Sequence, residues 1–186
     1  MMLELCGLPY ERRDVDLTKG EQFSPWLIHL NAAAAIPVIV DHDSADDEPL
    51  VLSQSGAICL YLAEKAGRFL PQSGRRRIET LEWFQHAITD LGFVTSALYL
   101  AHSRGDGDTA TASLFRQRLI KHMTLVDRRL AGRAFLVDQL TIADVALYPV
   151  LLSQMTAAVL DQLDDVHHLR AWMAAMGALP AIARGM

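Results

Sequence analysis

The chain has 186 residues, of which 51% are hydrophobic and 21% charged, so it can form one domain or two small ones. Seventeen Lys and Arg residues against 22 Asp and Glu residues give a net charge of -5, which offers no general attraction to nucleic acid or anionic lipid. No apolar run approaches the ~20 residues needed to cross a bilayer, and the first residues do not resemble a signal peptide. Composition therefore excludes a disordered or membrane-spanning chain and predicts a cytoplasmic protein without nucleic-acid or membrane partners.

The first part of the chain changes character about every ten residues, which is typical of alternating helices and strands. Residues 1–6 predict the tail of a helix that Gly7 and Pro9 bring to an end. Residues 10–17 alternate weakly between apolar and polar side chains and predict an edge strand. Residues 23–30 predict a short helix.

A β-hairpin is predicted next. Residues 36–40 form an apolar, β-branched run, the polar residues 41–48 form a turn, and residues 50–52 pair antiparallel with the first strand. Pro37 cannot donate a hydrogen bond to a ladder, so it must lie at the entry to the strand, where a cis bond would be natural. Residues 57–66 then predict a helix.

The second half of the chain is predicted to be helical. Residues 71–77 are polar and basic and predict an interdomain linker. Apolar residues recur at three- and four-residue spacing over 81–98, which predicts a long amphipathic helix that fades near 104–107. Residues 115–130 and 166–176 predict two more helices, the latter being the last of the chain.

Another helix is predicted to begin at Thr141. The spacing of Thr141 and Asp144 is that of a capping box, in which each residue satisfies a free N–H group of the other. Leu140 and Val145 occupy the positions of a hydrophobic staple.

The chemistry points to the turn that leads into residues 57–66. Gln54 and Ser55 lie where the unpaired N–H groups of a helix N-terminus form a receptor for a carboxylate. Nearby, a cis bond to Pro37 would expose the backbone of Ile36 to a peptide-like ligand that adds as a strand. Each feature alone is weak, since a Ser before a helix is commonly a plain N-cap, but their order and spacing together are specific.

At these residues the sequence resembles the cytosolic glutathione transferases. The resemblance covers essentially the whole chain and is carried by residues 7–11, 36–41, 54–58, 61–65 and 141–144. Within the family, residues 16–20 and 39–42 look most like those of bacterial nu-class enzymes.

The resemblance implies an α/β plus all-α fold. A thioredoxin-like, glutathione-binding N-terminal domain at residues 1–71, incomplete at its start, would precede an all-helical C-terminal domain at residues 78–186. It also implies a homodimer and a glutathione-dependent activity of detoxification type, either conjugation to a small electrophile or reduction of a disulfide. Glutathione would be a substrate, and no metal is expected.

Individual roles follow from the same resemblance. Pro37 matches the cis-proline of the family, and Ile36 matches the residue whose backbone pairs with the cysteinyl part of glutathione. Gln54 and Ser55 match the pair that holds the γ-glutamyl carboxylate and amine. Thr141 and Asp144 match a helix-capping pair with a structural role, while the electrophile is expected over the long helix near residues 91–99.

The match fails at the front of the chain. In the family, a first strand and the loop that activates the glutathione sulfur precede the helix whose tail is residues 1–6, so the catalytic residue is unknown and is expected upstream of Met1. Three alternatives remain for the vacant strand position: an upstream start, a shift of residues 10–17 into it, or a strand from a second chain. A non-catalytic binding or interaction module is the alternative function.

Other polar residues are expected to be structural or solvated. Cys6 lies near the C-terminal end of its helix, where the dipole disfavours a thiolate, and Cys59 lies in an apolar helix. His167 and His168 lack a third ligand at metal-binding spacing. Residues 31–35, an asparagine followed by four alanines, stand where family members usually have proline, asparagine, glycine and lysine, some of which contact the glutathione glycine carboxylate, so lower affinity is expected.

Overall fold

The computed structural model describes residues 1–44, 48–103 and 109–186. The predicted turn at 41–48 therefore lies partly outside the described residues, and so does the predicted end of the long helix at 104–107. Ten α-helices and one two-stranded sheet form the described fold.

The N-terminal part contains the predicted helices and the predicted hairpin. In chain order its elements are α1 (Met2–Cys6), α2 (Pro25–Leu30), β1 (Val38–Asp41), β2 (Leu50–Ser53) and α3 (Ser55–Ala66). Gly7 ends α1 with a left-handed φ of 68°, a conformation that a glycine adopts without steric cost. β1 and β2 pair antiparallel, so the hairpin prediction is confirmed.

The predicted edge strand at residues 10–17 is wrong. Residues 10–16 are irregular, and a 3₁₀ turn at Leu17–Lys19 follows because the Asp16 carboxylate accepts the Thr18 N–H at 2.9 Å. Within the described residues β1 pairs only with β2, and a weakly alternating segment without a ladder partner does not hold as a strand. The structure thus excludes the alternative in which residues 10–17 pair with β1.

The helical part is longer and more divided than predicted. Its elements are α4 (Gly74–Gln85), a π-helical segment (His86–Gly92), α5 (Phe93–Ser103), α6 (Ala110–Leu130), α7 (Ile142–Leu151), α8 (Gln154–Leu160), α9 (His167–Gly177) and α10 (Pro180–Arg184). The predicted linker at 71–77 is shorter than expected, because α4 already begins at Gly74. The expectation that residues 166–176 form the last helix is also wrong, since α10 begins at Pro180, which suits the first turn of a helix.

The core centres on α7. Its residues Ile142, Ala143 and Leu151 are completely buried, and the helix packs against both α3 and α4. A helix that is apolar on nearly every side needs neighbours on every side, which explains its central position. Among the described residues no single helix is long and apolar enough to span a membrane, and only the joined pair α7 and α8, bent by 84°, reaches that length and composition.

Asp144 organises the start of α7. Thr141 and Asp144 form a capping box, and the Asp144 carboxylate accepts the Thr141 N–H at 3.0 Å. It also accepts the Leu136 N–H at 3.0 Å and the Trp172 indole N–H at 3.1 Å, which connects α7 to α9. Burial raises the pKa of Asp144 against the opposing effect of these donors.

Candidate functional site

The hairpin brings the two halves of the candidate site together. Val38 at the start of β1 is paired with Ser53 at the end of β2, so the next residues outward, Pro37 and Gln54, lie at the same end of the sheet. The peptide bond between Ile36 and Pro37 is cis, and Ile36 is 44% exposed. An exposed backbone edge and a helix N-terminus therefore adjoin one another.

Gln54 has a strained backbone at the start of α3. Its φ of 72° and ψ of 115° lie in a region that residues other than glycine rarely adopt. Its carbonyl oxygen accepts the Ile58 N–H at 3.0 Å, and its side chain makes no capping bond. Gln54 and Ser55 are both exposed, so their polar groups are free to meet a ligand at a helix end that favours an anion.

Gly56 allows α3 to approach the helical part closely. A Cβ atom at Gly56 would lie 2.6 Å from Cδ1 of Ile88 in the π-helical segment, which is closer than such atoms pack. The helix end that carries Ser55 is therefore positioned by the helical half of the chain.

A polar cluster fixes α3 against β1. Asp41 accepts hydrogen bonds from the Tyr61 hydroxyl and from Lys65 Nζ, both at 2.6 Å. The bond from Lys65, followed by that from Tyr61, lowers the pKa of Asp41 to about 2. The one-turn spacing of Tyr61 and Lys65 shows that they share a helix face, but the sequence does not show that this face meets the end of β1.

The loop before Ile36 is organised by Asn31. Its side chain accepts the Ala33 N–H at 3.1 Å and donates to the Ala35 carbonyl oxygen at 2.8 Å. Ala34 has a left-handed φ of 50°. The Asn31 side chain therefore bonds to the backbone of its own loop.

Neither cysteine is suited to nucleophilic chemistry. Desolvation raises the pKa of Cys59 to about 11, and it also raises the pKa of Cys6. The Cys6 thiol lies 3.6 Å from the Leu62 carbonyl oxygen, to which it donates. Both thiols are therefore protonated at neutral pH.

A cavity of about 490 Å³ lies between α5, α6 and α8. Leu98, Met155 and Val159 give it an apolar side, and His102 and Arg116 give it a polar one. Leu98 falls within residues 91–99, where the sequence places the electrophile. That stretch as a whole does not line a common surface, since Leu91 is completely buried.

Comparison with known proteins identifies the family. A model of the glutathione S-transferase N-terminal domain matches residues 1–65, and a model of the glutathione S-transferase C-terminal domain matches residues 94–184. The disulfide-bond oxidoreductase YfcG of Escherichia coli is 35% identical over 80% of this chain and 71% of its own length. The disulfide-bond oxidoreductase YghU of the same organism is 30% identical over the whole chain, which spans 66% of that relative.

Solved structures similar to this chain belong to the same family. A glutathione transferase from Pseudomonas putida, with one glutathione disulfide bound per subunit, has a TM-score of 0.91 and 30% identity over 99% of this chain and 83% of its own. A family member from Pseudomonas fluorescens, with two glutathione molecules bound, has the same TM-score and identity over 99% and 84%. The chain belongs to the glutathione S-transferase family, with a thioredoxin-like N-terminal region followed by a helical region.

Proposed function

We propose that this chain binds glutathione at the end of the hairpin. The γ-glutamyl end docks on Gln54 and Ser55, and the cysteinyl backbone pairs with Ile36 beside Pro37. The observation that carries the proposal is the pairing of Val38 with Ser53, which sets the exposed backbone edge beside the N-terminus of α3. An exposed helix end favours the carboxylate of the ligand, and an extended peptide adds to an exposed strand edge.

The reaction is glutathione-dependent, and the relatives favour disulfide reduction over conjugation. Both Escherichia coli relatives are named disulfide-bond oxidoreductases, and the Pseudomonas putida structure holds glutathione disulfide. In this reaction one glutathione thiolate attacks the substrate disulfide and releases a thiol, and a second glutathione resolves the mixed disulfide. The products are glutathione disulfide and two thiols, so electrons pass from two glutathiones to the substrate.

Calorimetry with reduced glutathione tests the binding site. Gln54→Ala and Ser55→Ala each remove a docking group, and we expect each to weaken binding about tenfold, the effect of one lost hydrogen bond of about 1.4 kcal/mol. Gln139→Ala and Ser73→Ala are matched controls, because both residues are exposed and lie outside the hairpin and α3. Failure of the wild-type chain to bind glutathione at millimolar concentration, or equal weakening by the controls, contradicts the proposal.

A non-catalytic binding module is the second candidate. Both cysteines have a raised pKa, so neither supplies a thiolate to replace a sulfur-activating group. An assay of glutathione-dependent disulfide reduction alongside calorimetry separates the candidates, because a chain that binds glutathione without turnover fits only the second.

The assembly and the domain division also belong to this proposal. α5 presents apolar side chains to solvent, with Phe93 57%, Leu100 54% and Tyr99 60% exposed, and such a patch favours a homodimer. Light scattering of the purified chain tests the expected dimer. We retain the N-terminal domain at residues 1–71, the helical domain at 78–186, a cytoplasmic location and a role in detoxification as parts of the same proposal.

A further inference from the structure

Three side chains that suit a metal ion meet between the π-helical segment and α6. His86 and Asp90 come from the segment and His122 from α6, and one potential ligand atom from each lies within 4.8 Å of the others. His86 Nδ1 is 2.8 Å from Asp90 Oδ2, and the two imidazole rings lie 5.0 Å apart between centroids. No sequence motif predicts this cluster, because His122 lies on a different helix from His86 and Asp90.

Two imidazole nitrogens in this cluster have no hydrogen-bond partner among the described residues. His86 Nε2 and His122 Nδ1 are buried and accept or donate no hydrogen bond among the described residues. A buried polar atom left without a hydrogen-bond partner is unfavourable, so the arrangement calls for a ligand of its own.

The chemistry of the two nitrogens is that of a metal ligand. Because a carboxylate can only accept, the bond to Asp90 places the proton of a neutral His86 on Nδ1 and leaves a lone pair on Nε2. Burial, followed by the neighbouring His86, lowers the pKa of His122. Lys121 and Arg118 act in the same direction, and Asp90 opposes them.

The backbone conformation fits such a role. The segment that carries His86 and Asp90 is π-helical, and these rare wide turns within α-helical stretches occur frequently at functional sites. Between the two residues lies Ile88, the side chain that meets Gly56 at the start of α3. A ligand held here would link α6 to the segment that supports α3.

We propose that His86 and His122 bind one divalent transition-metal ion of the Zn²⁺ class through these two nitrogens, with Asp90 orienting His86 and offsetting the positive charge. Nitrogen and oxygen donors suit Zn²⁺, Co²⁺ and Ni²⁺, with water completing the coordination. The sequence predicted no metal, and this cluster is the reason to revise that expectation.

Titration of the chelator-treated full chain with Zn²⁺ and with Co²⁺ tests the site. We expect one ion per chain by calorimetry, a visible absorption band from bound Co²⁺ and a higher melting temperature. His86→Gln and His122→Gln should each weaken binding at least about 100-fold, and Asp90→Asn about 10- to 100-fold, as expected for loss of a ligand and of its orienting carboxylate. The control is the double variant His167→Gln/His168→Gln, which removes an exposed histidine pair and should bind as the wild type does.

Three outcomes overturn the proposal, and the first two are the absence of saturable binding below millimolar metal and binding that survives both His86→Gln and His122→Gln. Loss of binding in the control variant also overturns it, because the ion would then sit on the exposed pair. Should a cluster variant fail to fold, nitrogen-15 spectra of the wild-type imidazoles decide. Zn²⁺ must then shift His86 Nε2 and His122 Nδ1 and leave the rings of His167 and His168 unchanged.

Discussion

Asp127 is a buried carboxylate that caps a helix from a distance. It lies on α6, is 8% exposed, and accepts the Leu169 N–H in the first turn of α9 at 2.9 Å. The N-cap residue of α9, Val166, has no side chain able to do this. One residue thus both joins two helices and satisfies a buried donor.

Asp127→Ala should lower the free energy of unfolding by about 1–3 kcal/mol, because it leaves the Leu169 N–H unpaired in the interior. Asp127→Asn keeps an acceptor oxygen and should lose less. Urea unfolding followed by circular dichroism measures both, with Asp164→Ala as an exposed control. An Asp127→Ala chain as stable as the wild type would show that the cap contributes nothing.

The raised pKa values of the cysteines predict slow thiol chemistry. Because Cys59 has a pKa of about 11 and that of Cys6 is also raised, the folded chain at pH 7.5 holds little thiolate. Alkylation by iodoacetamide, followed by mass spectrometry, should be at least about tenfold slower at Cys59 than for a free cysteine and also slower at Cys6, and both reactions should become fast in denaturant. Rapid labelling of either residue in the folded chain would contradict the structural role assigned to both.

At the scale of elements, the contact between α3 and the π-helical segment depends on one missing methyl group. Gly56→Ala should create a 2.6 Å approach to Cδ1 of Ile88, and the overpacking should cost near the lower end of about 1–3 kcal/mol, because the end of the Ile88 side chain can shift.

Ile88→Val removes the atom that clashes, so it should restore much of the stability in the Gly56→Ala background while costing about 0.5–1.5 kcal/mol by itself. A double-mutant cycle measured by urea unfolding gives the coupling between the two positions. Additive losses would mean that α3 moves away from the segment instead of meeting Ile88.

At the scale of the whole molecule, local signals in the sequence predict the elements that begin or end at those signals. Three such signals depend only on nearby residues: Gly7, the β-branched run at 36–40 and the spacing of Thr141 and Asp144. Each element that they predict is present in the structure. The sequence also predicts the turn into α3, because its signal lies in the turn itself. The roles of Gln54 and Ser55 stay predictions.

What the sequence missed depends on distant partners. Residues 10–17 have the alternation of a strand but no ladder neighbour among the described residues, and the cap of α9 comes from α6. The π-helical segment likewise reads as ordinary helix, because its apolar spacing is kept while its backbone widens. His86 and His122 lie on different helical elements, and the periodicity of the sequence does not show that these two elements pack together.

The response of the whole chain to acid combines carboxylates of opposite behaviour. Asp41 has a pKa lowered to about 2, so it stabilises the folded state above its unfolded value of 3.8 and loses that effect as pH falls toward 2. Asp144 has a raised pKa, so the folded chain takes up its proton more readily than the unfolded chain does, and this favours folding as pH falls. Of these two carboxylates, Asp41 therefore makes the fold less stable in acid, and the buried Asp144 does not.

Asp41→Asn tests this assignment. The variant should be less stable than the wild type at neutral pH, because the bonds from Tyr61 and Lys65 lose their charged acceptor, and the difference should shrink as pH falls from 3.8 toward 2. Urea unfolding across that range measures the difference, and Asp14→Asn is the control, since Asp14 pairs with Arg12 on an exposed surface. A stability difference that stays constant with pH would mean that Asp41 contributes through packing alone and that its charge does not hold the hairpin to α3.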